Sequence, residues 1–216
     1  MGRFALLLAT SALGAFAAAA WSGDAIPPTP TPRVAATEPL GVGGQLTDEV
    51  RVAPIAGGGD VPLASLGGDD GKPLVVLFWS VKCPVCKRYG PVLKALAKDY
   101  DGRARVALVF PNATETESDV KTWLDAETVT SVAALDPKLD AAARLAVVVT
   151  PTVLVFDTTG VLRYRGPIDD DRRARRRDTT ELLRAALEAT LAGKPVENPE
   201  PRAFGSSVRR AAPVRR

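Results

Sequence analysis

The chain has 216 residues, 46% of them hydrophobic and 6% aromatic, which is enough for one globular domain with extensions and too little for two. Its 28 basic and 25 acidic residues nearly cancel to a net charge of +3, so the composition is not that of a nucleic-acid-binding protein. Histidine is absent, which removes the usual base at neutral pH, and the two cysteines lie too close in sequence to brace a fold.

The chain opens with a single charge at Arg3, an apolar run over residues 4–20, and small residues just before Trp21 that include an Ala-x-Ala site. This is the order of a secretory signal peptide, and its length also suits an uncleaved membrane anchor. Either reading places the rest of the chain outside the cytoplasm, periplasmic or secreted, where disulfides persist. No cysteine lies near the end of the run, so a lipid anchor is excluded. Residues 21–49 carry Pro27, Pro28, Pro30, Pro32 and Pro39 without apolar periodicity and read as a flexible, partly polyproline linker.

A folded domain is expected over residues 50–192. A short strand and glycine-rich turns lead into a buried strand at 74–79, followed by a helix over 84–97 and a second strand at 106–110. A capped helix follows at 118–124 with Ser118 as its N-cap, then a short helix at 136–143. The apolar runs 147–149 and 152–156 are separated by Pro151, and Thr158-Thr159-Gly160 turns the second into a strand at 161–165. A last amphipathic helix spans 179–191 and ends at Gly193-Lys194-Pro195. Residues 193–216 read as an irregular basic tail. The arginines at 172–177 read as a solvated loop, with attraction to an anionic membrane surface as the alternative. Strands alternating with helices imply an α/β fold whose central mixed β-sheet is flanked by helices on both faces.

The chemistry is expected at Cys83-Pro84-Val85-Cys86, which joins the strand at 74–79 to its helix. Cysteines that open a helix lie near unpaired N–H groups and the positive end of the helix dipole, which favours thiolate at Cys83. Pro84 suits the first turn because no donor is needed there. Cys86 follows one turn later, placed to attack a mixed disulfide on Cys83. The site lies at the C-terminal edge of a central strand, where open α/β sheets bind ligands.

Phe78-Trp79-x-x-x-Cys83-Pro84-x-Cys86, together with Val149-Thr150-Pro151-Thr152 downstream, resembles the thioredoxin-like redoxins. In type it is closest to the extracytoplasmic TlpA/ResA-like and AhpC/TSA-related thiol-disulfide oxidoreductases. The runs Arg88-Tyr89-x-Pro91, Pro111-Asn112-Ala113-Thr114-Glu115 and Tyr164-Arg165-Gly166 agree with the resemblance without assigning chemistry. It implies a thioredoxin-like fold, Cys83 and Cys86 as catalytic residues, and a substrate surface of Trp79, Pro84, Val85, Thr150 and Pro151. Pro151 is expected in cis, facing the cysteines, with the Thr150 backbone free to pair with an extended substrate. Implied partners are protein thiols or disulfides and a redox partner that resets the pair. The protein is expected to act as a monomeric reductant, tethered if the leader is retained, with no cofactor, metal or nucleic acid.

Two positions depart from the pattern. Leu77 stands where thioredoxins carry a buried acid, and Tyr89 where TlpA/ResA-like proteins often carry glutamate. Lys82, Lys87 and Arg88 offer positive potential but read first as solvated side chains. Two rival functions remain open. A peroxidase would need a proline and a threonine where Val76 and Ser80 stand. Cu(I) handling is open because a soft ion accepts two thiolates.

Overall fold

A computed structural model describes residues 38–66, 68, 70–171 and 181–209. The leader, most of the linker, the arginine run at 172–177 and the last seven residues lie outside the described residues. Among the described residues, no helix is long and apolar enough to cross a membrane.

Five consecutive buried residues form β3 (Leu74–Phe78), and five more form β7 (Thr152–Phe156). Strands apolar on both faces are the mark of the middle of a covered sheet. Together with β1 (Arg51–Pro54), β2 (Val61–Pro62), β4 (Arg105–Phe110), β5 (Val132–Leu135) and β8 (Leu162–Gly166) they make a seven-stranded sheet of order β2-β1-β5-β4-β3-β7-β8. β3, β4 and β5 run parallel to one another, while β7 lies antiparallel to β3, and β8 and β1 are antiparallel edges of this inner block. The sheet is therefore mixed, as expected.

Alternation along the strands divides the core. Val75, Leu77 and Trp79 face one side with Leu108, Phe110, Val153 and Val155, and are covered by α1 (Pro84–Asp99), α2 (Glu117–Glu127) and α4 (Leu182–Leu191). Leu74, Val76 and Phe78 face the other side, against a 3₁₀ turn at Leu63–Ser65 and the short α3 (Asp140–Arg144).

Several boundaries differ from those read in the sequence, for local reasons. The N-cap of α2 is Thr116 and not Ser118: Thr116 Oγ1 accepts from Asp119 N–H at 3.1 Å and Asp119 Oδ2 accepts from Thr116 N–H at 2.9 Å, a reciprocal box. β5 was not foreseen, because Val-Ala-Ala-Leu has little strand propensity and is held by its neighbours β4 and β1. The helix expected over 136–143 is shorter because Asp136 sits outside it and accepts N–H bonds from Ala141 and Ala142.

Packing also extends past both ends of the domain foreseen at 50–192. On the N-terminal side Gly43 N–H donates to Leu162 O at 2.8 Å, Leu162 N–H to Gly44 O at 2.9 Å, and Gln45 bridges Val161. On the C-terminal side the tail is not irregular throughout. It crosses β8, where Arg165 N–H donates to Pro199 O at 2.9 Å and the Arg165 guanidinium pairs with Glu200. It then forms β9 (Ser206–Ser207), antiparallel to β6 (Val149–Thr150). Backbone groups make this pairing, so Gly-Ser-Ser gave no apolar signal for it.

The Thr116→Ala chain should lose about 1 kcal/mol of stability with its cap. Urea denaturation followed by far-UV circular dichroism checks this, and Ser118→Ala should change little.

Candidate active site

β3 delivers the chain to the edge of the sheet, and Trp79 N–H closes the strand by donating to Val109 O at 2.8 Å. The chain then turns, Cys83 N–H donating to Ser80 O at 3.2 Å, and α1 begins at Pro84 with Cys83 itself as N-cap. The cap acceptor is sulfur: Cys83 Sγ accepts from Cys86 N–H at 3.4 Å. Both cysteines are free thiols and almost fully buried, Cys83 1% exposed and Cys86 not at all.

The Thr150–Pro151 peptide is cis, as the resemblance implied. This brings the end of β6 onto the cysteines, with Cys83 Sγ 3.2 Å from Thr150 O. The contact suits a thiol, which donates to the carbonyl. A thiolate at the same place relies on the donors that remain.

Those donors control the acidity. The Cys83 thiol is pulled down from its ordinary 9.0 to about 4, first by the hydrogen bond from the Cys86 thiol, against the cost of burial, then by the Ser206 hydroxyl and the N–H groups of Cys86 and Ser206. Cys86 moves the other way: burial raises its thiol far above 9.0, the bond it gives to Cys83 and that sulfur's charge raise it further, and Ser80 and Thr150 oppose. One sulfur is thus an anion at neutral pH while its neighbour keeps its proton. No lysine or arginine is among the leading causes. Lys82 is instead committed to Thr114 O at 2.6 Å.

The other residues expected at the site divide. Trp79 is fully buried in the same cluster as both cysteines, its ring 6.0 Å from that of Trp123, and its Nε1 has no partner. It is a wall and not part of an exposed substrate surface. Pro84 is exposed beside Cys83, and Val85 is half-buried against the core. Thr150 and Pro151 are buried, the former beneath β9.

A cleft of about 410 Å³ opens at Cys83, lined by Ser80, Lys82, Pro84, Asn112, Thr114, Glu115 and three residues of the tail, Ser206, Ser207 and Arg209. Glu115 is 6% exposed and accepts from the Ser80 hydroxyl, from Asn112 Nδ2 at 3.2 Å and from Val81 N–H at 3.4 Å. Ser80, the position compared with a peroxidase threonine, thus donates its hydroxyl proton to a carboxylate. Tyr89 turns its hydroxyl to Asp169 and to Asp171 O at 3.0 Å, and burial with the Asp169 contact raises its pKa above 10.0. The sequence reading quoted Asn112, Glu115 and Tyr89 without giving them a role at the site, and it missed Ser206 entirely. The signal for Glu115 was an acid in the loop that follows β4, the strand beside β3.

A seven-stranded mixed sheet with a helix-capping CxxC facing a cis proline defines a thioredoxin-like redoxin. The chain belongs to the AhpC/TSA family, whose model matches residues 49–165. It is 32% identical over 105 residues to a thioredoxin-like protein of Haemophilus influenzae, over 45% of this chain and 60% of that one. The chain spans about 60% of the length of the curated relatives it matches. Among solved structures, a hypothetical protein of Sinorhizobium meliloti is similar with a TM-score of 0.70 at 26% identity, over 80% of this chain and 96% of that one. A candidate DsbE-type thiol:disulfide interchange protein of Chlorobium tepidum shares the fold, with a TM-score of 0.55 at 20% identity over 70% of this chain and 99% of that one.

In the reduced folded protein Cys83 ionises at about 4, whereas unfolded it returns toward 9.0. Between these values the unfolded chain holds the extra proton, so the stability of the reduced form should rise with pH from about 4 to 9 and fall on acidification. Urea unfolding of reduced and oxidised protein at pH 5 and pH 8 checks this, the oxidised form lacking the slope.

Proposed function

We propose that the protein is an extracytoplasmic thiol-disulfide oxidoreductase that exchanges its CxxC pair with protein substrates. The observation that carries this reading is Cys83 as the sulfur N-cap of α1, with a protonated Cys86 one turn inside and the Thr150 carbonyl alongside. In the reducing direction the Cys83 thiolate attacks one sulfur of a client disulfide. The client S–S bond breaks, its other sulfur leaves as a thiolate that takes up a proton, and Cys83 is held to the client in a mixed disulfide. Burial still opposes ionisation of Cys86, but the charge on Cys83 that added to it is then gone. Cys86 attacks Cys83 as its proton passes to the departing second client sulfur, which is released as a thiol and leaves a Cys83–Cys86 disulfide. Two electrons have passed to the client, and an external dithiol partner restores the pair.

The leader supports an extracytoplasmic setting, with or without a membrane tether, and the domain is proposed to act as a monomer without a cofactor. Donors that stabilise the Cys83 thiolate stabilise the reduced pair and therefore raise its potential. The resemblance to TlpA/ResA-like proteins favours the reducing direction, and the raised potential makes the protein a mild reductant and not a strong one.

Cys86→Ser should accumulate mixed disulfides with client proteins, visible on non-reducing gels and reversed by dithiothreitol. Cys83→Ser should accumulate few, and equal trapping by both contradicts the assignment. Equilibration with glutathione should give a potential above the roughly −270 mV of thioredoxin and below the roughly −120 mV of the strongest oxidants of this fold. A value at or above the upper figure makes the protein an oxidase.

A further inference from the structure

β6 is two residues long and ends at the cis peptide beside Cys83. Its outer edge is not free. β9 lies along it antiparallel, with Ser206 opposite Thr150 and Ser207 opposite Val149, and Val208 N–H continues the ladder to Val148 O at 3.0 Å. Arg209 N–H donates to Asn112 Oδ1 at 2.8 Å, which carries the tail across the cleft that contains Cys83. The tail is the cover under which a thiol at the very start of a helix is only 1% exposed.

We propose that the C-terminal segment 204–209 occupies the groove that an extended client segment must enter, so that β9 is an intramolecular stand-in for a client and has to leave β6 before Cys83 is reached. The proposal rests on the exchange function given above. Strand addition to a sheet edge recognises main chain, and pockets for side chains set the preference. Here the preference is for absence of a side chain: a Cβ on Gly205 would overlap the Thr150 carbonyl and lie 3.2 Å from Pro151 Cδ. Gly-Ser-Ser fits this edge because it is small, and a client is expected to present an extended, small-residue segment beside its cysteine.

The attachment suits a cover that opens. Glu200 is paired to Arg165 and Pro199 O to Arg165 N–H, so the tail stays tethered to β8 when β9 lifts away. A tethered segment rebinds from a high effective concentration, so a few backbone bonds suffice to hold it, and a client with equivalent main-chain bonds displaces it in exchange. The groove is closed to small reagents at rest and opened by polypeptides that reproduce the ladder.

The test uses the full reduced chain at pH 8, well above the value of about 4 at which Cys83 ionises with β9 in place. Gly205→Ala introduces the overlap with Thr150, and Val208→Pro removes the N–H given to Val148. The two loosen β9 by different routes and leave both cysteines in place in the sequence. Each should raise the rate of Cys83 alkylation by iodoacetamide, read by peptide mass mapping, about fivefold or more, the share of one backbone bond. Each should also speed reduction of a disulfide-bonded client such as insulin. A synthetic peptide of residues 202–209 should slow alkylation of Gly205→Ala again, and the same peptide carrying Gly205→Leu should not. Unchanged alkylation in both variants, with native circular dichroism, overturns the proposal. So does faster alkylation with unchanged or slower client reduction, because the tail then covers the thiol without competing for clients. Absence of client reduction by every chain, the native one included, overturns the exchange function and the groove assignment with it.

Discussion

The structure turns on a sulfur atom doing the work usually given to an N-cap hydroxyl. The first N–H groups of an α-helix have no partners within the helix, and Ser, Thr or Asp ordinarily supplies them. In α1 the Cys83 side chain accepts from Cys86 N–H. Because the bond improves when the acceptor is charged, capping and thiolate formation reinforce each other. The strand before it fixes where this happens: β3 is central, flanked by β4 and β7, and places the start of α1 at the sheet's C-terminal edge. The neighbouring crossover supplies the other wall, since the turn between β6 and β7 brings Thr150 O to the same sulfur.

The division of labour between the two thiols follows from depth. Both are buried in the cluster with Trp79 and Tyr89, but Cys83 sits at the helix mouth among donors while Cys86 lies one turn inside. The same low polarity that strengthens the bonds to a thiolate penalises a second charge beside it. A pair so arranged holds one negative charge in the reduced state, and loss of that charge from Cys83 removes part of what, after burial, keeps the proton on Cys86.

How much of this was legible in the sequence depended on whether side chains or backbone carried the signal. β3, β7 and α1 were read because continuous apolar runs and a cysteine-proline helix start are written in residue types. The cis proline was available only through resemblance, since nothing local distinguishes it from a trans proline at an edge. Val132–Leu135 was invisible as a strand because its alanines say nothing by themselves, and the fold around them decides. At the site, Glu115 stood in a run that was noticed but given no role, because only the parallel pairing of β3 and β4 brings it to Ser80. Ser206 left no trace at all: its part is played from a stretch of Gly, Ser and Arg that composition assigns to solvent.

The path of the chain beyond α4 has a practical side. Ser206 and Ser207 line the cleft of Cys83, and the amide of Arg209 is held by Asn112 on the opposite wall. A fluorophore or other group attached at Arg209 itself would therefore sit at the mouth of the reactive thiol. Immobilisation through that residue would tug at the catalytic face first and the rest of the molecule afterwards.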